Sequence, residues 1–367
     1  MSHTAAYNLY QLLTDKTDPH IDTVKQLISE NYRDEVLPLL NIIKSLRIGE
    51  LSFQLNMDHN VIKVIDNDIQ GELKIISDKD NKIERVIFQP HLPEKVNFDE
   101  LTKLLNKCEG NFSVNLIEGN SVKNYRTKEF FDIASLSKLV VAAIVYSEIE
   151  NQNLTLNQEY TILPKDISFL STGIHSADVG STVTIKKLLS LMLIASDNTA
   201  MDILLKLLGK ETIRFYIESW STKLDYNIEN VKLISTKDFF GQSWCQEELS
   251  EAEWRKKALT EVKWTEGLGY FMPVNLIVEA IKILQKQPWL PWRDYKQGAL
   301  LFKGGSAPGV LCYSWASLNN EFGDFIFILT FNSNHILSYL KEVYIFSCCR
   351  LYFESELSID FKEINDE

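Results

Sequence analysis

Strand-like alternation stands near both ends of the stretch from about residue 98 to residue 350, and a long, mostly helical pattern from about 135 to 285 lies between. The strand-like runs fall at about 111–118 and 122–127, then at about 299–304, 309–317 and 324–331, with helices at about 98–107 and 335–350 flanking them. Two distant ends of a chain that both read as strands are completed by one antiparallel sheet, here of five strands, with a helical subdomain inserted between them. A cleft between sheet and helices is where such an arrangement places a site.

A second change of pattern comes near residue 90. Gln89-Pro90-His91-Leu92-Pro93-Glu94-Lys95 carries two prolines and reads as a linker. Before it, helices at about 4–14, 21–30 and 34–46 give way to alternating runs at about 50–57, 61–66, 70–77 and 83–88, with Asp78-Lys79-Asp80-Asn81-Lys82 as a hairpin turn. Helices followed by a four-stranded meander suggest a small α+β module of the cystatin or nuclear-transport-factor kind. The expected division is therefore 1–96 as accessory module, 97–352 as the unit carrying the chemistry and 353–367 as an acidic tail.

The chain has 38 basic and 50 acidic side chains, a formal charge of −12, which gives no electrostatic reason to expect nucleic acid or an anionic membrane surface. The longest apolar runs, 189–195 and 325–331, fall far short of the roughly 18–20 residues that span a bilayer, so no integral membrane contact is expected. The first ten residues lack a basic segment followed by an apolar stretch, which points to a cytoplasmic protein, or to a periplasmic or secreted one from which a signal has been trimmed. Five scattered cysteines (Cys108, Cys245, Cys312, Cys348, Cys349) read as buried thiols, not as a disulfide framework or a zinc site. The six histidines (His3, His20, His59, His91, His175, His335) lack metal-ligand spacing, so neither metal nor cofactor is expected. Monomer and homodimer are equally compatible with the sequence.

Three short motifs could carry chemistry. In Phe131-Asp132-Ile133-Ala134-Ser135-Leu136-Ser137-Lys138, Ser135 and Lys138 are three apart at a helix start, where they share one face and where free N–H groups favour an alkoxide. A neutral lysine there could take the hydroxyl proton. The spacing alone is weak, since it recurs by chance about once or twice in such a chain. Indeed Ser338-Tyr339-Leu340-Lys341 repeats it within the expected final helix, where it reads as ordinary helix surface. The second motif, Ser196-Asp197-Asn198, lies between two amphipathic runs, and its bland reading is a helix cap. The third, Lys303-Gly304-Gly305-Ser306, ends a strand, where paired glycines could mark a bend or bulge.

The order of the three is much more specific than any one of them. Ser135 to Ser196 is 196 − 135 = 61 residues and Ser196 to Lys303 is 303 − 196 = 107, which resembles the three-motif layout of the penicillin-recognising serine enzymes. The text Ala195-Ser196-Asp197-Asn198-Thr199-Ala200 looks like class A β-lactamases in particular. Leu233-Ile234-Ser235-Thr236-Lys237-Asp238-Phe239-Phe240 and Lys303-Gly304-Gly305-Ser306-Ala307-Pro308-Gly309-Val310 are similar to a subgroup with an added cystatin-like domain, as in the β-lactamase-like protein of clavulanic-acid gene clusters. The resemblance implies an α+β, multi-domain protein with a β-lactamase/transpeptidase-like fold. It also implies roles: Ser135 as nucleophile with Lys138 as its base, the Ser135 and Ser306 N–H groups as oxyanion hole, and Ser196 as proton donor to the leaving group. Asn198, Lys303, Gly304, Gly305 and Ser306 would bind substrate, with Lys303 keeping the site positive for an anionic one, and Asp197 would brace its loop.

Two departures stand out. In β-lactamases the residue after the third-motif lysine is usually Thr or Ser, whose hydroxyl helps to bind the carboxylate; here it is Gly304. Class A deacylation depends on a glutamate within a Glu-x-x-x-Asn arrangement, and between Trp220 and Gln246 the sole glutamate is Glu229, with Asn230 directly after it. Glu229 is thus a candidate base that lacks its expected partner, and an acyl-enzyme should form more readily than it clears. Six of seven tryptophans (Trp220, Trp244, Trp254, Trp264, Trp289, Trp292) lie between the second and third motifs and read as packing of the helical subdomain rather than as an acyl-binding wall. Glu247–Glu253 reads as the acidic start of a solvated helix.

The sequence therefore predicts a serine hydrolase acting through an acyl-enzyme on a small acyl or β-lactam substrate, with weak β-lactam turnover and esterase-like activity. A D-Ala-D-Ala peptidase or transpeptidase shares the three motifs, and a non-catalytic binding protein on the same fold is the third reading.

Overall fold

The computed structural model describes residues 4–15, 17, 19–47, 51–56, 60–225, 227–244, 251–294, 300–319 and 324–357. The chain begins with helices α1 (Ala5–Thr14), α2 (Ile21–Leu27) and α3 (Val36–Leu46), then strands β1 (Ser52–Asn56), β2 (Val61–Asp66), β3 (Ile69–Ser77) and β4 (Ile83–Pro90). These strands form an antiparallel meander in sequence order. Strict alternation on β3 buries Ile69, Leu73 and Ile75 on one face. Asp78 closes the turn to β4 by accepting the Asp80 and Lys82 N–H groups.

Helix α4 (Phe98–Asn106) opens on a capping box between Asn97 and Glu100 and leads to β5 (Asn111–Glu118), β6 (Ser121–Tyr125) and the short β7 (Phe130–Asp132). The helical region comprises α5 (Ser137–Glu150), the two-stranded β8 (Glu159–Thr161) and β9 (Thr182–Thr184), α6 (Ile185–Leu193), α7 (Asn198–Leu208), α8 (Lys210–Leu224), α9 (Thr236–Trp244) and α10 (Glu251–Thr260). Strand β10 (Phe271–Pro273) pairs with β7 and runs into α11 (Val274–Gln285). Then come β11 (Leu300–Ala307), β12 (Val310–Ser317), β13 (Phe325–Asn332) and α12 (Tyr339–Tyr352). The five-stranded sheet has the order β11-β12-β13-β5-β6, antiparallel throughout, as the sequence predicts. Strand β13 at its centre is buried along its whole length, and α5 is buried from Ser137 to Tyr146, which is why neither shows a clear polar face in sequence. Each aliphatic side chain buried on this helix contributes about 1.5–3 kcal/mol.

Close contacts divide the chain into residues 1–109 with 336–367, and residues 110–335. This differs from the expected division at 96/97 and 352/353. Helices α4 and α12 group with the amino-terminal meander because their apolar faces meet each other: Phe98 packs edge-on against Tyr352, and the Val96 N–H donates to Ser355 Oγ. Residues 353–357 continue α12 as one wide turn, and the rest of the expected tail lies outside the described residues.

Two local expectations are corrected. The final helix starts at Tyr339, and Ser338 is not helix surface but a buried N-cap that accepts the Lys341 N–H and donates to Asp66. The repeat of the serine–lysine spacing is thus a capping turn. The glycines at 304 and 305 are not a bend: β11 runs through both in continuous register with β12.

Candidate active site

All three motifs lie within residues 110–335. Ser135 sits in a single 3-10 turn, Ala134–Leu136, that feeds α5, so its side chain stands at the helix start and Lys138 lies one turn along the same face. Lys138 Nζ is 3.0 Å from Ser135 Oγ and 2.9 Å from Asn198 Oδ1. On the opposite side Lys303 Nζ is 3.0 Å from Ser196 Oγ and 2.6 Å from the Gly304 carbonyl. The structure therefore brings Ser135, Lys138, Ser196, Asn198 and Lys303 into one linked cluster from a helix start, an interhelical loop and an edge strand.

Both lysines are almost wholly buried, and burial disfavours the ammonium form. It pushes Lys138 down to about 7, assisted by the charge of Lys303 and opposed by Asp197 and Asp202. Lys303 is pushed down to about 8 by the same desolvation. Lys138 is thus the more readily neutral of the two and touches the hydroxyl of Ser135, which is the pairing a general base needs.

The second motif serves both of its readings. Asp197 is the N-cap of α7 through Oδ1 to the Ala200 N–H at 2.7 Å. Its Oδ2 accepts from Ser171 Oγ and from the N–H groups of Thr172, Gly173 and Ile174 at 2.6–3.1 Å. Burial alone would raise this carboxyl, but those hydrogen bonds hold it below the usual carboxylate range. Asp197 accordingly fixes the 171–174 loop, while Asn198 donates to the Phe169 and Leu170 carbonyls. Ser196 is held at φ 56°, a strained conformation for a residue with a Cβ, and that twist aims its hydroxyl toward Lys303.

Gly305 explains the third motif. A Cβ there would lie 2.6 Å from the Ser135 amide nitrogen and 2.8 Å from Cys312 Sγ, so only glycine lets β11 approach Ser135 this closely. Ser306, next on the strand, is exposed.

Several supporting residues carry no local sequence signal. Asp132 is buried, accepts the Ala134 N–H at 2.8 Å and that of Tyr270 at 3.4 Å, and holds Ala134 at φ 40° directly before Ser135. Desolvation pushes its carboxyl up to about 7 against those two hydrogen bonds. Asn332 clamps the Asp132 backbone from both sides, accepting its N–H and donating to its carbonyl, each at 2.9 Å. Asp202 accepts from Ser168 Oγ and the N–H groups of Thr236 and Lys237, tying the segment after α8 to α7. The one available hint was a polar residue on the otherwise apolar, buried face of α7.

Glu229 is not gathered into this cluster. It lies exposed in a 3-10 turn, Ile228–Asn230, and borders a cavity of about 950 Å³ whose lining includes Asp202, Lys206, Arg214 and Asp238 but neither Ser135 nor Lys138. Among the tryptophans, Trp220 and Trp292 are buried, Trp292 donates to the Phe302 carbonyl and Trp264 to that of Ser333, all as packing elements. Trp289 donates to Asp294 and stacks under Lys186. The side chains of Trp244 and Trp254, most of the acidic run 247–253, and Cys245, His3 and His59 lie outside the described residues. The other four cysteines are buried and free. No helix among the described residues is long and apolar enough to cross a membrane.

Residues 98–267 match the model of the beta-lactamase enzyme family, described as Beta-lactamase2. Beta-lactamase Toho-2 of Escherichia coli is 36% identical over 112 residues, 30% of this chain and 38% of that protein. Beta-lactamase VEB-1 of Pseudomonas aeruginosa is 37% identical over 81 residues, 22% and 27% of the two chains. The matched stretch thus spans well under half the length of these relatives. Among solved structures, a mutant of the reconstructed class A beta-lactamase of the last common ancestor of Gram-negative bacteria, bound to 5(6)-nitrobenzotriazole, superposes with a TM-score of 0.52 at 15% identity, covering 70% of this chain and 97% of that one. A beta lactamase from Xanthomonas campestris gives 0.51 at 14% identity, covering 72% and 100%. At such identities the likeness is one of fold.

Proposed function

We propose, from a chain that is class A β-lactamase-like in fold and in the sequence of residues 98–267, that it is a serine hydrolase acting on amide or ester carbonyls through an acyl-enzyme. The observation that carries this reading is the pair of buried lysines, one 3.0 Å from Ser135 Oγ and the other 3.0 Å from Ser196 Oγ. Ser135 attacks the carbonyl carbon while its proton passes to neutral Lys138. The tetrahedral oxyanion is received by the N–H groups of Ser135 and Ser306, donors that are each worth a few kcal/mol in such sites. The bond to the leaving group breaks as Ser196 protonates it, and Lys138 returns its proton to Ser196. Water then releases the acid and restores Ser135. Asn198 orients the substrate amide arm and Lys138 together, and Lys303 holds Ser196.

Deacylation is the slow half. Glu229 lies exposed beside a cavity lined by neither Ser135 nor Lys138, so it offers water no base at Ser135 and an acyl group that is not labile persists. Slow β-lactam turnover with faster hydrolysis of activated esters is the expected phenotype. Retention of both lysines and both serines in hydrogen-bonded register favours a working enzyme over a binding protein, since nothing in the packing requires two buried amines.

Intact-mass spectrometry after exposure to a penicillin, a cephalosporin and a fluorophosphonate tests the reading. A single adduct lost in Ser135→Ala is expected. No adduct with any of the three, or one that survives Ser135→Ala, sinks it, and rapid nitrocefin hydrolysis contradicts the slow second half.

A further inference from the structure

The edge strand β11 determines what lies beside the leaving group. The Phe302 carbonyl accepts the Trp292 indole N–H at 3.0 Å and the Gly304 carbonyl accepts Lys303 Nζ, so the even-numbered residues turn their main-chain groups away from β12 and toward the open edge. Side chains alternate in the other sense: Lys303 and Gly305 face Ser196 and Ser135, whereas Phe302 and Gly304 face the other side. A leaving group protonated by Ser196 and running along this edge therefore passes Gly304. There the missing side chain is replaced by carbon: a Cβ on Gly304 would stand 3.4 Å from Phe302 Cζ and 3.7 Å from Tyr313 Cδ1. Phe302 is 41% exposed, its ring stacks at 23° and 6.5 Å on Tyr313, and Trp315, nearly fully buried, backs both rings at 5.1 and 5.4 Å. Phe302 is thus a partly exposed ring set beside a buried one.

Such a surface discriminates by charge. The described side chains nearest this place offer aromatic carbon, and the hydroxyl that a Thr or Ser at 304 would supply is absent, leaving the phenol of Tyr313 as the hydroxyl among these three residues. The ammonium of Lys303 is engaged by Ser196 Oγ and by the Gly304 carbonyl. A carboxylate set down here loses water and gains little in exchange, whereas an apolar ring gains the full benefit of burial.

We propose that Phe302, Gly304 and Tyr313 form an aromatic leaving-group subsite, and that the substrate is an uncharged ester of an apolar, ring-bearing alcohol rather than a compound with a carboxylate at that position. The inference rests on the serine-hydrolase reading above for its chemistry. The bond formed is Ser135 Oγ to acyl carbon, the bond broken is acyl carbon to alcohol oxygen, and the alcohol departs with the proton delivered through Ser196.

The test compares two esters with the same butyryl group, 4-(methoxycarbonyl)phenyl butyrate and 4-carboxyphenyl butyrate, which differ in the charge on the alcohol. With the full chain, kcat/KM for the neutral ester is expected to exceed that for the charged one by roughly tenfold or more. Phe302→Ala and the milder Phe302→Leu should narrow the ratio by slowing the neutral ester, and Tyr313→Arg should narrow it by speeding the charged one, with thermal melts confirming that each variant folds. An equal or inverted ratio in the unaltered protein overturns the subsite. Fluorophosphonate labelling of Ser135 in the same preparation reads the nucleophile separately. If neither ester turns over, saturation-transfer NMR with methyl 4-hydroxybenzoate and 4-hydroxybenzoate still decides the matter: preferential binding of the neutral phenol, weakened by Phe302→Ala, supports the subsite, and equal binding refutes it.

Discussion

The pH dependence of Ser135 acylation follows directly from the two lysines. Lys138 must be neutral to accept the proton and is held near 7, so the neutral fraction is about one half at pH 7 and about one tenth at pH 6. Lys303, held near 8, loses its charge above that pH. The pseudo-first-order rate of labelling by a neutral fluorophosphonate, read by intact mass at timed quenches, should rise about tenfold per pH unit below 7 and fall again above about 8. Replacing Lys303 by Met removes a positive charge that depresses Lys138, so the acid limb should move to higher pH by up to about one unit, whatever happens to the maximum. Asp132 is also pushed up to about 7 and provides the control. Its conservative variant Asp132→Asn keeps an oxygen able to accept the Ala134 N–H and should leave the acid limb in place. A flat profile from pH 5.5 to 8, or an acid limb that disappears in Asp132→Asn, refutes the assignment of Lys138 as base.

Three further outcomes are expected. Gly305→Ala forces a methyl group to within 2.6 Å of the Ser135 amide, so the labelling rate should fall about 10²- to 10³-fold, the scale of a lost oxyanion donor; a fall of less than threefold contradicts the close-approach argument. Asp197→Ala strands the Thr172, Gly173, Ile174 and Ala200 N–H groups and should cost about 3–5 kcal/mol in urea unfolding, and a loss under about 1 kcal/mol would show that the loop finds other partners. Lys138 has a folded-state value near 7, below the roughly 10.4 of an unfolded lysine, so the unfolded chain binds the extra proton and stability rises with pH between those values. Lys138→Met should therefore abolish labelling yet raise the melting temperature at pH 7.5 by several degrees; a lower melting temperature would mean that the hydrogen bonds to Ser135 and Asn198 outweigh the cost of burying the amine.

Most of the helices and strands read from the sequence were legible because they carry their own period, and their observed bounds fall within a few residues of expectation, whereas α5 and β13, buried all round, carry little. Where reading fails, the contact is long-range. Nothing local in Asn332 announces that it will clamp Asp132, 200 residues earlier. The same holds for Ser338, whose spacing to Lys341 imitates a catalytic pair but whose partner, Asp66, is 272 positions away. Glu229 stood in the right segment by sequence, and only the path of the turn Ile228–Asn230 leaves it exposed beside a cavity that neither Ser135 nor Lys138 lines.

The sequence by itself determined which side chains are the candidates for chemistry here, since the order Ser135-x-x-Lys138, Ser196-Asp197-Asn198, Lys303-Gly304-Gly305 is a property of residue type and spacing. Tertiary structure decided the rest: that burial disfavours the ammonium form of Lys138, that Gly305 rather than a bend carries the strand past Ser135, that α4 and α12 group with the amino-terminal meander, and that aromatic carbon borders Gly304. The physical reason is the same in each case. A residue's chemistry is written in its own side chain, but its dielectric surroundings and its neighbours across the sheet are supplied by chain segments far from it in sequence, which periodicity and spacing do not encode.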